Sequence, residues 1–171
     1  KKVELYGQNL KKYVHKNWVE VPKCRSDKYY FCKIDDNPEN VFAEIQYQLE
    51  TDIPEELKRF YHNIGFGFLW FSLRTKKGTY RILSPEEILD LYFEPEEEGV
   101  SDEFITYREN AWEKLENNGL LAFCLFGEED SLLYIGTADG GIYYLSPARK
   151  IANSLYEFLQ RLDEKADYFM R

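Results

Sequence analysis

The 171-residue chain has few of the side chains that do chemistry. It holds two histidines, His15 and His62. Neither sits at a recognised catalytic spacing from a serine, cysteine or carboxylate, which removes the common triad patterns. The three cysteines are Cys24, Cys32 and Cys124. An odd number without short paired spacings argues against a disulfide framework or a zinc site. They read as reduced packing residues of a cytoplasmic protein. No apolar run is long enough to span a bilayer, and no secretory leader pattern opens the sequence. Gly65-Phe66-Gly67 lacks the Gly-Lys-Ser/Thr ending of a phosphate loop and follows a helix pattern instead of a strand. Glu96-Glu97-Glu98 lacks the alternating ligands and fixed glycine of a calcium loop. No cofactor or metal is expected.

Basic residues are missing from one long stretch. Between Arg81 and Arg108 there is no Lys or Arg, but there are nine acids: Glu86, Glu87, Asp90, Glu94, Glu96, Glu97, Glu98, Asp102 and Glu103. The chain as a whole carries −9. Residues 1–33 run the other way, with nine Lys/Arg against three Asp/Glu. A field of negative sign repels nucleic acid and attracts a basic partner surface. It equally describes a solvated face that aids solubility.

Aromatics are abundant, with 14 Tyr and 12 Phe. Tyrosine has an apolar body and a polar tip, so it serves cores and interfaces alike. The hydrophobic share of 44% supports a packed interior.

The spacing predicts a helix over residues 3–16 and two short strands, 18–21 and 29–34, which can pair as a peripheral hairpin. A helix follows Asn37-Pro38, with Val41, Phe42, Ile45 and Leu49 at helical spacing. The next has Leu57, Phe60, Tyr61 and Ile64 on one face, with Gly65 as its stop. Residues 66–83 read as a hairpin turning at Lys77-Gly78. Ser84 and Glu87 have capping-box spacing, and Leu83 with Ile88 can form a hydrophobic staple. An acidic loop precedes a helix capped by Ser101 and ended by Asn118-Gly119. Strands are expected at 120–126, 132–135 and 142–145, the last after the turn at 138–141. A final amphipathic helix is expected from Ser146-Pro147, with Ile151, Leu155, Phe158, Leu159 and Leu162 inward. This order gives an α+β class, a single domain whose largely antiparallel sheet is flanked by helices.

The segments together resemble the SUKH superfamily, which includes the yeast cell-wall regulator of the Smi/Knr type and many bacterial proteins. Ile53-Pro54-Glu55-Glu56-Leu57-Lys58-Arg59-Phe60-Tyr61, continuing to Asn63-Ile64-Gly65-Phe66-Gly67, is similar to that family's L-P-x-x-(Y/L)-K-x-F-(L/Y) helix. The family pattern closes on Asn-Gly or Gly-Gly, whereas Ile64 separates Asn63 from Gly65 here. Arg81 to Ile88, Leu120 to Ile135 with Gly127 and Asp130, and Gly140 to Leu159 follow in the family's order. The match covers about residues 38–163, leaving 1–37 as an N-terminal helix and hairpin extension and 38–171 as the SUKH-like domain.

The resemblance implies a non-catalytic immunity protein of bacterial type that neutralises a polymorphic toxin, often a nuclease with a basic nucleic-acid-binding surface. It also admits a regulatory scaffold of the Smi/Knr kind. A carboxylate-based hydrolase is a third reading. The expected contact surface is Glu94, Glu96, Glu97, Glu98, Asp102 and Glu103, joined by Glu128, Glu129 and Asp130. Trp70 and Tyr92 are the candidate aromatic anchors, although core packing is the alternative role for Trp70.

Overall fold

The computed structural model describes residues 27–170 except 35–36, 73, 76, 94–101, 128–130 and 146–147. The helix and strand expected before residue 27 lie outside the described residues. Seven strands form one sheet in the order of the chain: β1 Asp27–Cys32, β2 Phe66–Ser72, β3 Lys77–Ile82, β4 Leu120–Phe126, β5 Ser131–Gly136, β6 Ile142–Leu145 and β7 Ala148–Ala152. Every neighbouring pair is antiparallel. Helices α1 Glu39–Leu49 and α2 Glu55–Asn63 join β1 to β2. Helices α3 Pro85–Phe93 and α4 Asp102–Asn118 join β3 to β4, and α5 Leu155–Glu164 follows β7. The architecture is α+β with an antiparallel sheet, as the sequence predicts.

Register explains the core. Phe31, Gly67, Ile82, Cys124 and Leu133 are successive partners across five strands, and all five are buried. Two residues along, Leu69, Tyr80 and Phe126 continue the same face, because side chains repeat every second residue. The Phe31 ring meets Phe60 of α2 edge-on at 5.5 Å, which puts α2 on this face. Phe158 of α5 meets Tyr80 at 6.1 Å. Phe169 packs on Phe126 and on Tyr144, each at 5.3 Å. The Tyr80 hydroxyl donates to the Ala166 carbonyl, so the residues after α5 fold back onto the sheet.

Gly65 and Gly67, from the family-like segment, explain why β1 can lie beside β2. A Cβ on Gly65 would sit 2.0 Å from the Cys32 carbonyl oxygen, and one on Gly67 would sit 2.2 Å from that of Tyr30. Gly65 therefore ends α2 with φ 122° for reasons of close approach as well as conformation.

Local signals differ in how they fared. Ser84 and Glu87 form the expected reciprocal box. The Glu87 N–H donates to the Ser84 hydroxyl at 3.1 Å, and the Ser84 N–H to the Glu87 carboxylate at 3.3 Å. Gly119, φ 64°, closes α4 by donating to the Leu115 carbonyl at 3.1 Å. Asn37 accepts the Glu39 N–H at 3.2 Å from one position before Pro38, which is the N-cap.

Three expectations need correction. The first strand runs from Asp27 to Cys32 and pairs with β2. Lys77-Gly78 is strand, paired with Ser72 and Phe71, and the turn lies just before it. Gly78 is small because a Cβ there would come within 2.7 Å of the Phe68 side chain. The last helix starts eight residues late. Ala148–Ala152 is a strand on β6, and Ser154 caps α5 by accepting the Glu157 N–H at 3.0 Å. Ile151 is thus a buried strand residue.

Candidate partner-binding surface

Helix α3 sets the base of the acidic segment. Its C-terminal carbonyls lack intrahelical donors, and α4 supplies them. Arg108 donates from Nε to the Leu91 oxygen at 2.9 Å and from a terminal nitrogen to the Asp90 oxygen at 3.2 Å. The Trp112 indole N–H donates to the Tyr92 oxygen at 3.0 Å. The chain thus leaves α3 at a fixed point and returns at Asp102.

Tyr92 is not an exposed anchor. It is 2% exposed, and its ring meets Trp112 edge-on at 5.1 Å. Its hydroxyl accepts the Ala122 N–H at 3.0 Å. Ala122 borders the irregularity in β4, where the ladder to β5 shifts register. Burial raises the phenol pKa well above its ordinary value. Helical spacing accounts for this, since Tyr92 is one turn beyond the buried Ile88. The neighbouring Phe93 is 39% exposed, with its ring against Trp112 at 5.2 Å. Trp70 is half-buried on β2 and packs against the core, with φ 55°. Glu94, Glu96, Glu97, Glu98, Glu128, Glu129 and Asp130 lie outside the described residues. Asp102 and Glu103 begin α4, where only their backbone is described.

Several described carboxylates are committed to holding the fold. Glu56 of α2 accepts the Leu155 and Tyr156 N–H groups at 3.2 and 2.7 Å, capping α5 from across the molecule. An anion there also meets the positive end of the helix dipole. Glu87 pairs with Arg81 as well as with Ser84. Asp139 accepts the Tyr143 hydroxyl at 2.6 Å, the Gly141 N–H at 2.9 Å and the Lys150 ammonium at 3.1 Å. Chiefly the Tyr143 bond holds its carboxyl below the usual aspartate range. The same bond, with some burial, pushes the Tyr143 phenol up to about 12. These groups lock β5, β6 and β7 together. His62 of α2 lies 2.8 Å from Glu39 with its ring edge-on to Phe42 at 5.6 Å. Cys124 is a buried free thiol, its pKa raised by burial. Among the described residues, no group of three or more His, Cys, Asp or Glu is placed to hold a metal ion. No helix among them is long and apolar enough to cross a membrane.

Sequence reasoning missed the surface of α1. Phe42, Ile45 and Leu49 face the core, and Tyr47 stands on the opposite side, 80% exposed. The signal was present, because residue 47 falls half a turn away from the buried stripe.

An in-order antiparallel sheet with helix pairs inserted after β1 and β3, several of whose described carboxylates serve caps and hairpins, defines an α+β domain of the SUKH class. The family model "SMI1 / KNR4 family (SUKH-1)" matches residues 37–161, and the chain belongs to that family. It is also similar to "Immunity protein YxxD" of Bacillus subtilis (strain 168), at 31% identity over 131 residues. That stretch covers 74% of this chain and 80% of the relative.

Proposed function

We propose that this chain is an immunity protein that binds a cognate polymorphic toxin in the cytoplasm and neutralises it without catalysing a reaction. The observation that carries this reading is the likeness, over most of both chains, to a relative named as an immunity protein. The toxin class that suits the charge is a nuclease, whose basic substrate-binding face is complementary to an acidic protein.

The acidic segment Glu94–Glu103 is the proposed electrostatic contact, with Glu128, Glu129 and Asp130 as a second strip. Its supports are the run without a basic residue from 82 to 107 and the firm seating of α3, the helix that leads into it. Complementary charge mainly accelerates encounter, so the segment acts on the association rate.

Two experiments test this. Co-expression with the toxin encoded beside this chain should rescue growth and yield a stable one-to-one complex. Folded protein that gives neither result overturns the immunity reading. Changing Glu96, Glu97 and Glu98 together to Lys should slow association and flatten its salt dependence. Unchanged kinetics would remove the segment from the interface.

A further inference from the structure

The run from 82 to 107 is not alone. Residues 34–57 also contain no Lys or Arg, and they contain eight Asp/Glu. Helix α1 lies within this second run and α3 within the first, and the two helices pack against each other. One helix from each of two stretches 25 residues apart in sequence thus lies beside the other.

Helix α1 turns one side away from the core. Tyr47 projects at its centre, 80% exposed. Ala43, one turn before it, is small and exposed and leaves the ring open on that side. Glu44 and Glu50, three residues to either side of Tyr47, are exposed, as are Gln48 and, just after the helix, Asp52. The Gln48 amide donates to Glu44 at 2.8 Å, which steadies that carboxylate. Of the basic side chains that follow in the chain, Lys58 lies 3.6 Å from Glu55 and over the Phe42 ring, Arg59 is exposed on α2, and His62 lies against Glu39 at the far end of α1. On α3, Glu86 and Asp90 are exposed, and Phe93 is partly so.

An aromatic this exposed gains nothing in the isolated fold. At the centre of an interface it supplies a large rigid contact with a hydrogen-bonding tip, the residue type that dominates binding energy. The carboxylates around it select the sign of what docks. We propose that the outward face of α1, centred on Tyr47 and flanked by Glu44 and Glu50, is the docking surface for a Lys/Arg-rich face of the toxin. Tyr47 fills an apolar recess among the basic residues, and the carboxylates pair with them around it. This rests on the immunity reading and names the contact within it.

The test uses the full chain and the toxin domain encoded beside it. Tyr47→Ala should weaken binding about 30-fold or more, mainly through faster dissociation. Its thermal unfolding should match the parent, because the side chain is outside the core. Glu44→Lys with Glu50→Lys should slow association roughly tenfold and reduce its salt dependence. Glu116→Lys with Glu164→Lys, the same charge change on exposed positions of α4 and α5, should leave both rates nearly unchanged. Parental binding that survives both α1 changes overturns the α1 surface and leaves the immunity reading standing. Parental protein that neither binds nor protects overturns both. If Tyr47→Ala alters only self-association in ultracentrifugation, a second copy is the occupant and the toxin proposal falls.

Discussion

Helices α1 and α5 are both amphipathic, yet they are finished in opposite ways. Helix α5 has a Ser154 cap, a second carboxylate from Glu56 on its first amides, and Arg161 bonded to Glu157 in its last turn. Helix α1 ends without a basic residue and with Glu50 in the left-handed region, φ 51° and ψ 39°. A non-glycine residue there costs roughly 1–2 kcal/mol, and an anion at a helix C-terminus opposes the dipole. Helix α5 follows the local rules at its start, with a side-chain cap and an acid in its first turn, although Asp163 and Glu164 close it. Helix α1 breaks two of these rules beside its most exposed aromatic. Local rules are broken where something other than stability is served.

The largest test of this contrast removes the shared support. Phe60 is fully buried between α2 and β1, and Phe60→Ala should destabilise the fold by about 3–5 kcal/mol in denaturant unfolding. A loss under 1 kcal/mol would mean α2 is not part of the core. Next comes the cap that ties α2 to α5. Glu56→Ala leaves two helix amides without their charged acceptor and should cost about 1–2 kcal/mol. A neutral result would show that water replaces the carboxylate, and the comparison would lose its stronger arm. Glu50→Gly should act in the opposite direction, stabilising by about 1 kcal/mol while weakening toxin association. A loss of stability would contradict the reading of α1 as locally strained.

The smallest effect concerns the β5–β7 lock. The Asp139 carboxyl is held below its ordinary value, so its contribution is present above the unfolded pKa of about 3.9 and is lost as pH falls through the lower folded value. Asp139→Asn should therefore be less stable than the parent near neutrality, with the difference closing below pH ~4. A difference that persists in acid would assign it to shape instead of charge.

What could be read from sequence was what lies within a few residues. The Ser84–Glu87 box, the Gly119 stop and the helical stripes of α1 and α2 depend on neighbours along the chain, and each appears in the fold. Ser154 and Glu157 carry the same signature as Ser84 and Glu87, but Ser146-Pro147 offered an earlier start and Ile151 happened to fit the helical period. Gly78 read as a turn because the ring of Phe68, which demands its smallness, comes from the partner strand. Tyr92 was legible as core from its spacing to Ile88; its abundance class, an amphipathic aromatic beside acids, suggested a surface instead. The Glu56 cap on α5 joins residues about a hundred positions apart and could not be read locally. The same holds for the packing of α1 against α3, which brings helices from two acidic runs side by side.

The most direct measurement is backbone hydrogen exchange of this protein, free and bound to the toxin encoded beside it. Binding should slow exchange across residues 43–52 and at the end of α3, while α5 and β5–β7 keep their free-state rates. Protection confined to α5 or the β5–β7 end, with α1 unchanged, would contradict the account.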